Sequence, residues 1–551
     1  MSRLNEDTLV QQTTADYLQN ELGWECVNAL AETYGPQGLL GRDSEREVVL
    51  TGYLWAALEK LNPGLPESAY TEAIRQIGEY SSSQTLLATN QDKYALCKDG
   101  VQVAYRDAKG ELLRDRLRLF DFNNPADNHW LCVREFWIQG DVYRRRADIV
   151  GFVNGIPLLF MELKSPAVGI QAAYERNFTN YKSEIPQLFH HNAFVVIADG
   201  IEAKAGTISS SYKHFYPWKR LDESEPGQVD METLLKGMCS KDNFLDLFEN
   251  FLIFDDSSGR LAKILAQNQQ FLGVNRAIKS LERSKEQQGK LGVYWHTQGA
   301  GKSYSIVFFT RKVHRKLGGN YTFVICTDRD DLDTQIYQTF AGCGLVDNDR
   351  DPCRAATGEH LEELIGQHKA YVFTLIHKFN RDVDPKVGYS LRDDVVVITD
   401  EAHRSQYGRL ALNLRNALPN ASYIGFTGTP LFKDDEITRR VFGDYVSTYG
   451  FQRAVEDKAT VPLYYDARGD KLGVATNEMN ERIAERLEQY EADSIDVEQR
   501  LERELRREYH VLTAKKRLRQ IARPLKNSFT ELAKTQFLQI FVGIASFFLY
   551  N

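Results

Sequence analysis

Residues 292–317 read GVYWHTQGAGKSYSIVFFTRKVHRKL, and this stretch decides the fold class. The residues GVYW at 292–295 predict a short strand, and the residues from Lys302 onward predict a helix. The turn between them, HTQGAGKS at 296–303, is rich in glycine. A strand, a glycine-rich turn and a helix N-terminus form an anion site, because backbone N–H groups converge there and the helix dipole favours negative charge. The stretch therefore predicts an α/β domain that binds the phosphates of a nucleotide.

The residue types of this turn suit a nucleoside triphosphate. The two glycines would let the backbone approach the phosphates, the lysine would reach the β- and γ-phosphates, and the serine would bind Mg²⁺. The strict pattern G-x-x-x-x-G-K-[ST] requires glycine where this chain has His296, and G-K-S alone is a weak signal. The predicted nucleotide-binding residues of the turn are Gly299, Ala300, Gly301, Lys302 and Ser303, with Ser303 also a metal ligand.

Two later strand ends carry polar residues typical of ATP hydrolysis. In VVVITDEAHRS, residues 395–405, Asp400 and Glu401 follow an apolar strand. We predict Asp400 as a Mg²⁺ and nucleotide ligand and Glu401 as the residue that orients the attacking water. In SYIGFTGTP, residues 422–430, a strand ends in a Gly/Pro turn. Alone, the first run also fits a helix cap and the second an ordinary turn.

Short apolar strands alternate with helices on both sides of these motifs. Runs at 321–327 and 370–375 resemble those at 395–400 and 422–427, and this alternation indicates a parallel α/β sheet. Earlier in the chain, helices are expected over 9–60, 168–183 and 243–283, and extended structure begins at about 85. A charged, helix-prone segment follows at 478–525.

A second candidate site lies in RRRADIVGFVNGIPLLFMELKSP, residues 144–166. The Asn154-Gly155 turn predicts a hairpin that brings Asp148 opposite Glu162 and Lys164. Two carboxylates would bind Mg²⁺, and the lysine would help to activate a water for attack on a phosphodiester. This D…E-x-K arrangement is that of PD-(D/E)xK nucleases, so Asp148, Glu162 and Lys164 are predicted as catalytic, the two acids also as metal ligands. A surface hairpin with a Glu/Lys pair is the alternative.

Composition excludes several classes of protein. The 551 residues are 42% hydrophobic and 26% charged, as in globular chains, and allow about three or four domains. The net charge of -8 excludes a protein that coats DNA by its overall field. Seven scattered cysteines without a C-x-x-C pair favour a reducing cytoplasm. No stretch approaches the length of a membrane span, although residues 537–550 are apolar, so no membrane partner is expected.

Taken together, DEAH, TGTP, QNQQF at 267–271 and FVICTDRDDL at 323–332 resemble superfamily 2 helicases. More narrowly, WHTQGAGKS, VVVITDEAHRSQYG and GFTGTPLF are similar to the motor subunit of type I restriction enzymes. In that family histidine in place of the first glycine is usual. The family also carries its nuclease before the motor, with a Q-x-x-x-Y element that appears here as Asn177 to Tyr181, where Asn replaces Gln.

The resemblance implies a three-part α/β chain. The expected parts are a PD-(D/E)xK endonuclease domain at 1–240, a RecA-like ATP-binding lobe at 241–455, and the start of a second motor lobe with a charged helical segment at 456–551. It implies ATP and Mg²⁺ as cofactors, and double-stranded DNA with modification and specificity subunits as partners. Because family members are about twice as long, we expect a truncated chain that binds ATP weakly and does not translocate. A helicase-nuclease without a methylase and a non-catalytic remnant remain alternatives.

Overall fold

The computed structural model describes residues 6–106, 110–347, 349–400, 409–429, 439, 441–457 and 460. Within these ranges the strands form two six-stranded sheets and two smaller two-stranded sheets. The sequence up to residue 206 supplies β1 (Glu25–Asn28), β2 (Val101–Arg106), β3 (Leu112–Leu117), β4 (Trp130–Gln139), β5 (Arg144–Val153), β6 (Ile156–Leu163), β7 (Phe194–Ala198) and β8 (Ala203–Gly206). Its helices are α1 (Glu6–Asn20), α2 (Thr51–Leu61), α3 (Glu67–Gly78), α4 (Leu86–Asp99), α5 (Ile170–Ala172) and α6 (Thr179–Glu184), with a π-helical turn at Ala173–Phe178.

The first large sheet is mixed, with strand order β1-β4-β5-β6-β7-β8. β4, β5 and β6 form an antiparallel meander, and β7 returns parallel to β6. The meander turns at Asn154 and Gly155, both of which have positive φ, as the sequence predicts for this hairpin. Apolar side chains cover both faces: α1 packs on one, and the helical segment from α5 to α6 packs on the other.

The second large sheet is entirely parallel, with strand order β13-β12-β14-β15-β11-β16. The strands after residue 250 are β9 (Leu252–Asp255), β10 (Ala262–Leu265), β11 (Lys290–His296), β12 (Thr322–Thr327), β13 (Tyr371–Leu375), β14 (Val395–Asp400), β15 (Ser422–Thr427) and β16 (Tyr445–Tyr449). The helices after residue 230 are α7 (Met231–Cys239), α8 (Lys241–Asn250), α9 (Asn268–Glu282), α10 (Lys302–Lys316), α11 (Asp330–Gly342), α12 (Gly358–Gly366), α13 (Arg409–Ala417) and α14 (Phe451–Glu456). The α/β class expected from the sequence is confirmed, with a mixed sheet first and a RecA-like parallel sheet second.

One apolar core continues from the first sheet to the second. It includes Trp24, Ile149 and Phe244 together with Phe308 and Ile398, all of which are buried. α8 lies between the sheets: the ring of Phe244 is 5.4 Å from that of Trp130 on β4, and Phe251, directly after α8, is 5.5 Å from Phe308 on α10. The two sheets are therefore stabilised by a shared hydrophobic interior.

Three local expectations were wrong. The chain is helical, not extended, over Leu86–Asp99, because Thr85 caps the helix through a hydrogen bond from Ala88 N and Gly100 ends it with φ +88°. A strand, β1, interrupts the region expected to be helical before residue 60, and α2 begins at Thr51. The β9–β10 hairpin interrupts the predicted helix at 243–283, since the turn DDSSG separates two short apolar runs. Residues 461–551, including the predicted charged segment, lie outside the described residues.

Candidate active sites

The predicted carboxylates meet where β5 and β6 separate. These strands pair as far as Ile149 opposite Met161, so Asp148 and Glu162 would form the next pair. The ladder does not continue to this pair. Instead the backbone N–H of Leu163 donates to Oδ2 of Asp148 at 2.8 Å. The side chain of Asp148 therefore takes the place of a backbone partner, and the gap between the strands becomes a polar site within an apolar sheet.

Lys164 completes a cluster with the two acids, here called the carboxylate cluster (Asp148, Glu162 and Lys164). Its Nζ lies 2.6 Å from Oε1 of Glu162 and 3.9 Å from Oδ2 of Asp148. Glu162 is only 1% exposed. Burial raises the pKa of Glu162 well above its ordinary value, the charge of Asp148 raises it further, and Lys164 opposes both effects. A cation would relieve this repulsion, so the cluster has the electrostatics of a metal site.

The donor set fits a hard cation such as Mg²⁺. Oε2 of Glu162 is buried and has no hydrogen-bond partner within the described structure. Carboxylate oxygens are the ligands that Mg²⁺ prefers. Over the described ranges, however, no group of three or more His, Cys, Asp and Glu side chains could hold a metal ion. Among the described residues, further ligands would be amide, hydroxyl or backbone oxygens.

Sequence reasoning missed Gln11, which reaches the cluster from α1. Its Nε2 donates to Oδ1 of Asp148 at 2.9 Å, and the residue is 3% exposed. The signal is present in the sequence, because Gln11 lies on the same helix face as the buried Ala15 and Leu18. A glutamine on the apolar face of a helix needs a polar partner, and here that partner is Asp148.

The Q-x-x-x-Y-like element packs beside the cluster. Tyr181 donates from its hydroxyl to the backbone oxygen of Arg146 at 3.0 Å. Burial raises the pKa of Tyr181, the charge of Glu162 adds to this, and a hydrogen bond with Asn177 opposes it. Asn177 thus contacts the tyrosine, and the pair borders the site. The hydrogen bond of the tyrosine hydroxyl goes to the backbone of Arg146.

The three consecutive arginines at the start of β5 are each paired with a carboxylate. Their partners lie 2.5–2.6 Å away: Glu45 for Arg144, Glu184 for Arg145 and Glu135 for Arg146. Glu135 has φ +56° within β4, and its neighbours Arg134 and Phe136 pair with Ile149 and Ala147. It therefore lies across from Asp148 in a conformation that is strained for a residue with a side chain.

The second site lies at the carboxyl edge of the parallel sheet. β11, which carries the phosphate loop at 296–303, is paired with β15, and β15 is paired with β14. Trp295 lies opposite Thr427, and Asp400 lies opposite Phe426. Parallel strands end at the same edge, so the loop, Asp400 and the Thr427 turn are brought together. Glu401 lies outside the described residues.

The phosphate loop has the backbone geometry of an anion cradle. Gly299 and Gly301 have φ of +84° and +76°, which favour glycine. A Cβ at Gly301 would lie 2.6 Å from Nε2 of Gln270, which donates to the oxygen of Gly301 at 2.9 Å. Ala300 is buried, and α10 begins at Lys302, so its first N–H groups are available to phosphate oxygens.

Lys302 lies between the phosphate loop and the Thr427 turn. Its Nζ donates to the backbone oxygen of His296 at 3.2 Å. A Cβ at Gly428 would lie 3.2 Å from the same Nζ, so glycine leaves room for the lysine. Ser303 follows in the first turn of the helix, and Asp400 is 8% exposed at the end of β14. The residues present fit a magnesium–nucleotide complex.

His296 is fully buried beneath the loop. Its Nε2 is 2.8 Å from Oγ of Ser447 on β16, which in turn bonds to Glu223. Burial lowers the pKa of His296 well below its ordinary value, and Lys302 acts in the same direction. The neutral ring therefore anchors the loop to the neighbouring strand, which explains how the loop forms without a glycine at this position.

Comparison with known proteins finds matches to two regions of the chain. A model described as the type I restriction enzyme R protein N terminus matches residues 3–214, and a SWI2/SNF2 ATPase model matches residues 269–496. The chain is 38% identical over 498 residues to the type I restriction enzyme HindI endonuclease subunit of Haemophilus influenzae, covering 84% of this chain and 46% of that protein. It is 31% identical to the provisionally assigned MjaIXP endonuclease subunit of Methanocaldococcus jannaschii, covering 88% of this chain and 49% of that protein.

Among solved structures, the fragment of a provisionally assigned HsdR subunit of a type I restriction enzyme from Vibrio vulnificus YJ016 is 15% identical, with a TM-score of 0.25 over 61% of this chain and 57% of that chain. The chain spans about half the length of the curated relatives it matches. No described helix is long and apolar enough to cross a membrane. Residues 3–214 therefore belong to the family of the type I restriction enzyme R protein N terminus, and residues 269–496 belong to the SWI2/SNF2 ATPase family.

Proposed function

We propose that this chain provides the endonuclease centre and an ATP-hydrolysing motor lobe of a type I restriction-modification complex that cleaves double-stranded DNA. The observation that carries the proposal is the carboxylate cluster at the separation of β5 and β6, in the same chain as a phosphate loop. We divide the chain into a nuclease domain at 1–240, a motor lobe at 241–455 and a further segment at 456–551.

In the nuclease centre, Asp148 and Glu162 would hold Mg²⁺, which supplies the positive charge that a scissile phosphodiester needs as it gains negative charge. Lys164, fixed 2.6 Å from Glu162, would hold the attacking water by a hydrogen bond and favour loss of its proton. Leu163 N–H keeps the carboxylate of Asp148 oriented. The apolar sheet around the cluster limits access of bulk water and strengthens these interactions.

In the motor lobe, residues 299–303 would surround the phosphates of ATP. Lys302 would contact the β- and γ-phosphates, while Ser303 and Asp400 would hold Mg²⁺. Glu401, the residue after Asp400, would orient the water that attacks the γ-phosphate. The fixed donors of the loop favour negative charge as it develops on the transferred phosphoryl group.

The proposed partners are double-stranded DNA and the modification and specificity subunits. With a net charge of -8, the chain relies on these subunits for recognition of a DNA sequence. We place the complex in the cytoplasm. Seven scattered cysteines without a C-x-x-C pair favour a reducing compartment.

The test separates the two centres with two variants of the chain, each assembled with its modification and specificity subunits. Asp148→Ala should abolish plasmid cleavage and leave ATP binding unchanged, because it alters only the carboxylate cluster. Lys302→Ala should weaken ATP binding. Cleavage that is unchanged in Asp148→Ala would refute the nuclease assignment. Co-purification without a methyltransferase would instead favour a helicase-nuclease of another defence or repair system.

A further inference from the structure

The helix α1 brings one side chain, that of Gln11, to the carboxylate cluster, whose own residues lie on and next to strands of the first sheet. Gln11 donates from Nε2 to Oδ1 of Asp148 at 2.9 Å, while Leu163 N–H donates to Oδ2 at 2.8 Å. The two donors hold opposite oxygens of one carboxylate and so fix its plane. A residue 137 positions earlier in the sequence thereby sets the orientation of a predicted metal ligand.

Two buried oxygens near Asp148 have no hydrogen-bond partner within the described structure. They are Oε1 of Gln11, in a residue 3% exposed, and Oε2 of Glu162, in a residue 1% exposed. Leaving a buried acceptor without a donor is unfavourable, and such atoms are rare in folded proteins. Both belong to side chains that interact with Asp148, and amide and carboxylate oxygens are the ligand types that Mg²⁺ binds.

The charge of the cluster favours a neutral third ligand. Asp148 and Glu162 already bring two carboxylates to one lysine, so a third carboxylate would add to the repulsion between them. An amide oxygen binds Mg²⁺ without adding charge. Within the described ranges no third acidic, histidine or cysteine side chain joins the two acids, which leaves amide, hydroxyl and backbone oxygens as further protein ligands, and Gln11 brings an amide to the cluster.

We propose that Gln11 is a ligand of the nuclease cation, giving Oε1 to the metal while its amide nitrogen orients Asp148. This assignment rests on the proposed nuclease function. It makes α1 part of the metal site.

The neighbouring Gln12 provides a matched control. It is exposed, and its Nε2 donates to Asp16 at 2.7 Å on the same helix. Its oxygen accepts a hydrogen bond from Arg134. Gln11→Met and Gln12→Met make the same chemical change one residue apart, and methionine keeps nearly the volume and helix propensity of glutamine.

The experiment measures Mn²⁺ binding to the full chain without ATP, by isothermal titration calorimetry. The nuclease site is defined as the binding that Asp148→Ala removes. Gln11→Met should weaken that binding about tenfold or more, as loss of groups around a metal typically does, and Gln12→Met should leave it unchanged. Gln11→Glu keeps an oxygen and should bind Mn²⁺ more tightly than Gln11→Met, although the added charge opposes Asp148. Thermal unfolding without metal checks the fold of each variant.

The outcomes distinguish the inference from the function on which it rests. Wild-type affinity in a folded Gln11→Met would overturn the ligand role and leave the nuclease proposal standing. If Gln11→Met does not fold, Gln11→Leu also removes the oxygen without adding charge, and wild-type affinity in folded Gln11→Leu would overturn the ligand role equally. Absence of any Asp148-dependent Mn²⁺ site in the wild-type chain would overturn both.

Discussion

Lys263 is a cationic side chain that the fold removes almost completely from water. It is 2% exposed on β10, and its Nζ donates to Oδ1 of Asn90 at 2.9 Å and to the oxygen of Asn192 at 2.5 Å. Both partners are neutral oxygens, which hold the amine but supply no counter-charge. Burial lowers the pKa of Lys263 to about 7, and Cys97 opposes this effect.

This residue gives the fold a pH dependence. Between about pH 7 and the ordinary lysine pKa near 10.4, the unfolded chain binds a proton at this site that the folded chain does not. The contribution of Lys263 to the free energy of unfolding should therefore rise with pH across this window, by up to about 1.4 kcal/mol per pH unit, and should be lowest below pH 7. Lys263→Met should lack this rise when urea unfolding is measured from pH 7 to 10.

Lys285→Met is the control, because the side chain of Lys285 is 88% exposed and pairs only at the surface with Asp393. It should follow the wild-type pH profile. An identical profile in Lys263→Met would show that the buried amine stays protonated in the folded chain.

At the level of single residues, local pattern predicted some contacts and missed others. The hairpin turn and the E-x-K spacing were sufficient to place Asp148, Glu162 and Lys164 together, because a two-residue turn fixes strand register. The contact between Gln11 and Asp148 depends on how α1 packs on the sheet. Local spacing places Gln11 on the apolar face of its helix but does not encode its partner. The role of His296 likewise depends on Ser447, which is 151 residues away. The sequence therefore showed that histidine replaces the first glycine of the phosphate-loop pattern, but not why.

Among the elements, α8 links the two large sheets by polar as well as apolar contacts. Asp246 on α8 pairs at 2.6 Å with Lys312 of α10, whose side chain is only 12% exposed. Glu249 pairs with Arg315 and Lys316 of the same helix. The ion pairs between the acids of α8 and the bases of α10 hold these two helices side by side.

Asp246→Ala should destabilise the chain by roughly 3 kcal/mol, because Lys312 would remain largely buried without its carboxylate. The measurement is the urea midpoint at pH 7. Asp393→Ala removes an acid from an exposed pair and should cost less than about 1 kcal/mol. Equal costs for the two variants would show that the Asp246 pair is effectively solvated.

Element type was predictable where the pattern was long and regular. The apolar runs of β12, β14 and β15 are buried throughout and read as strands directly. α4 was mistaken for extended chain because its sequence, LLATNQDKYALCKD, lacks a clear apolar stripe and buries polar residues such as Asn90 and Lys93. Strand order was not predictable, since β11 and β15 are neighbours across about 130 residues of chain.

For the molecule as a whole, the shared core predicts cooperative unfolding. Phe244 is fully buried. The centre of its ring lies 5.8 Å from that of Trp24 and 5.0 Å from that of Phe194 on β7. Phe244→Ala should cost about 3–5 kcal/mol. In Phe244→Ala, hydrogen exchange should show that β5 and β12 lose protection together, because both strands lie against the same core.

Val142→Ala is the control, because Val142 is 79% exposed and its replacement should change neither strand. Loss of protection in β5 alone would show that the two sheets unfold independently despite their contact.

The placement of α7 and α8 also limits which recombination events between related genes would give a stable protein. The proposed division at residue 240 falls between these helices, yet the ring of Phe244, after the division, packs 5.8 Å from that of Trp24, before it. A recombination event joining the first part of one gene to the second part of a distant relative would bring together apolar surfaces that had not evolved in contact. Selection would therefore tend to transmit both centres as one co-adapted segment, so their sequences should share a common line of descent.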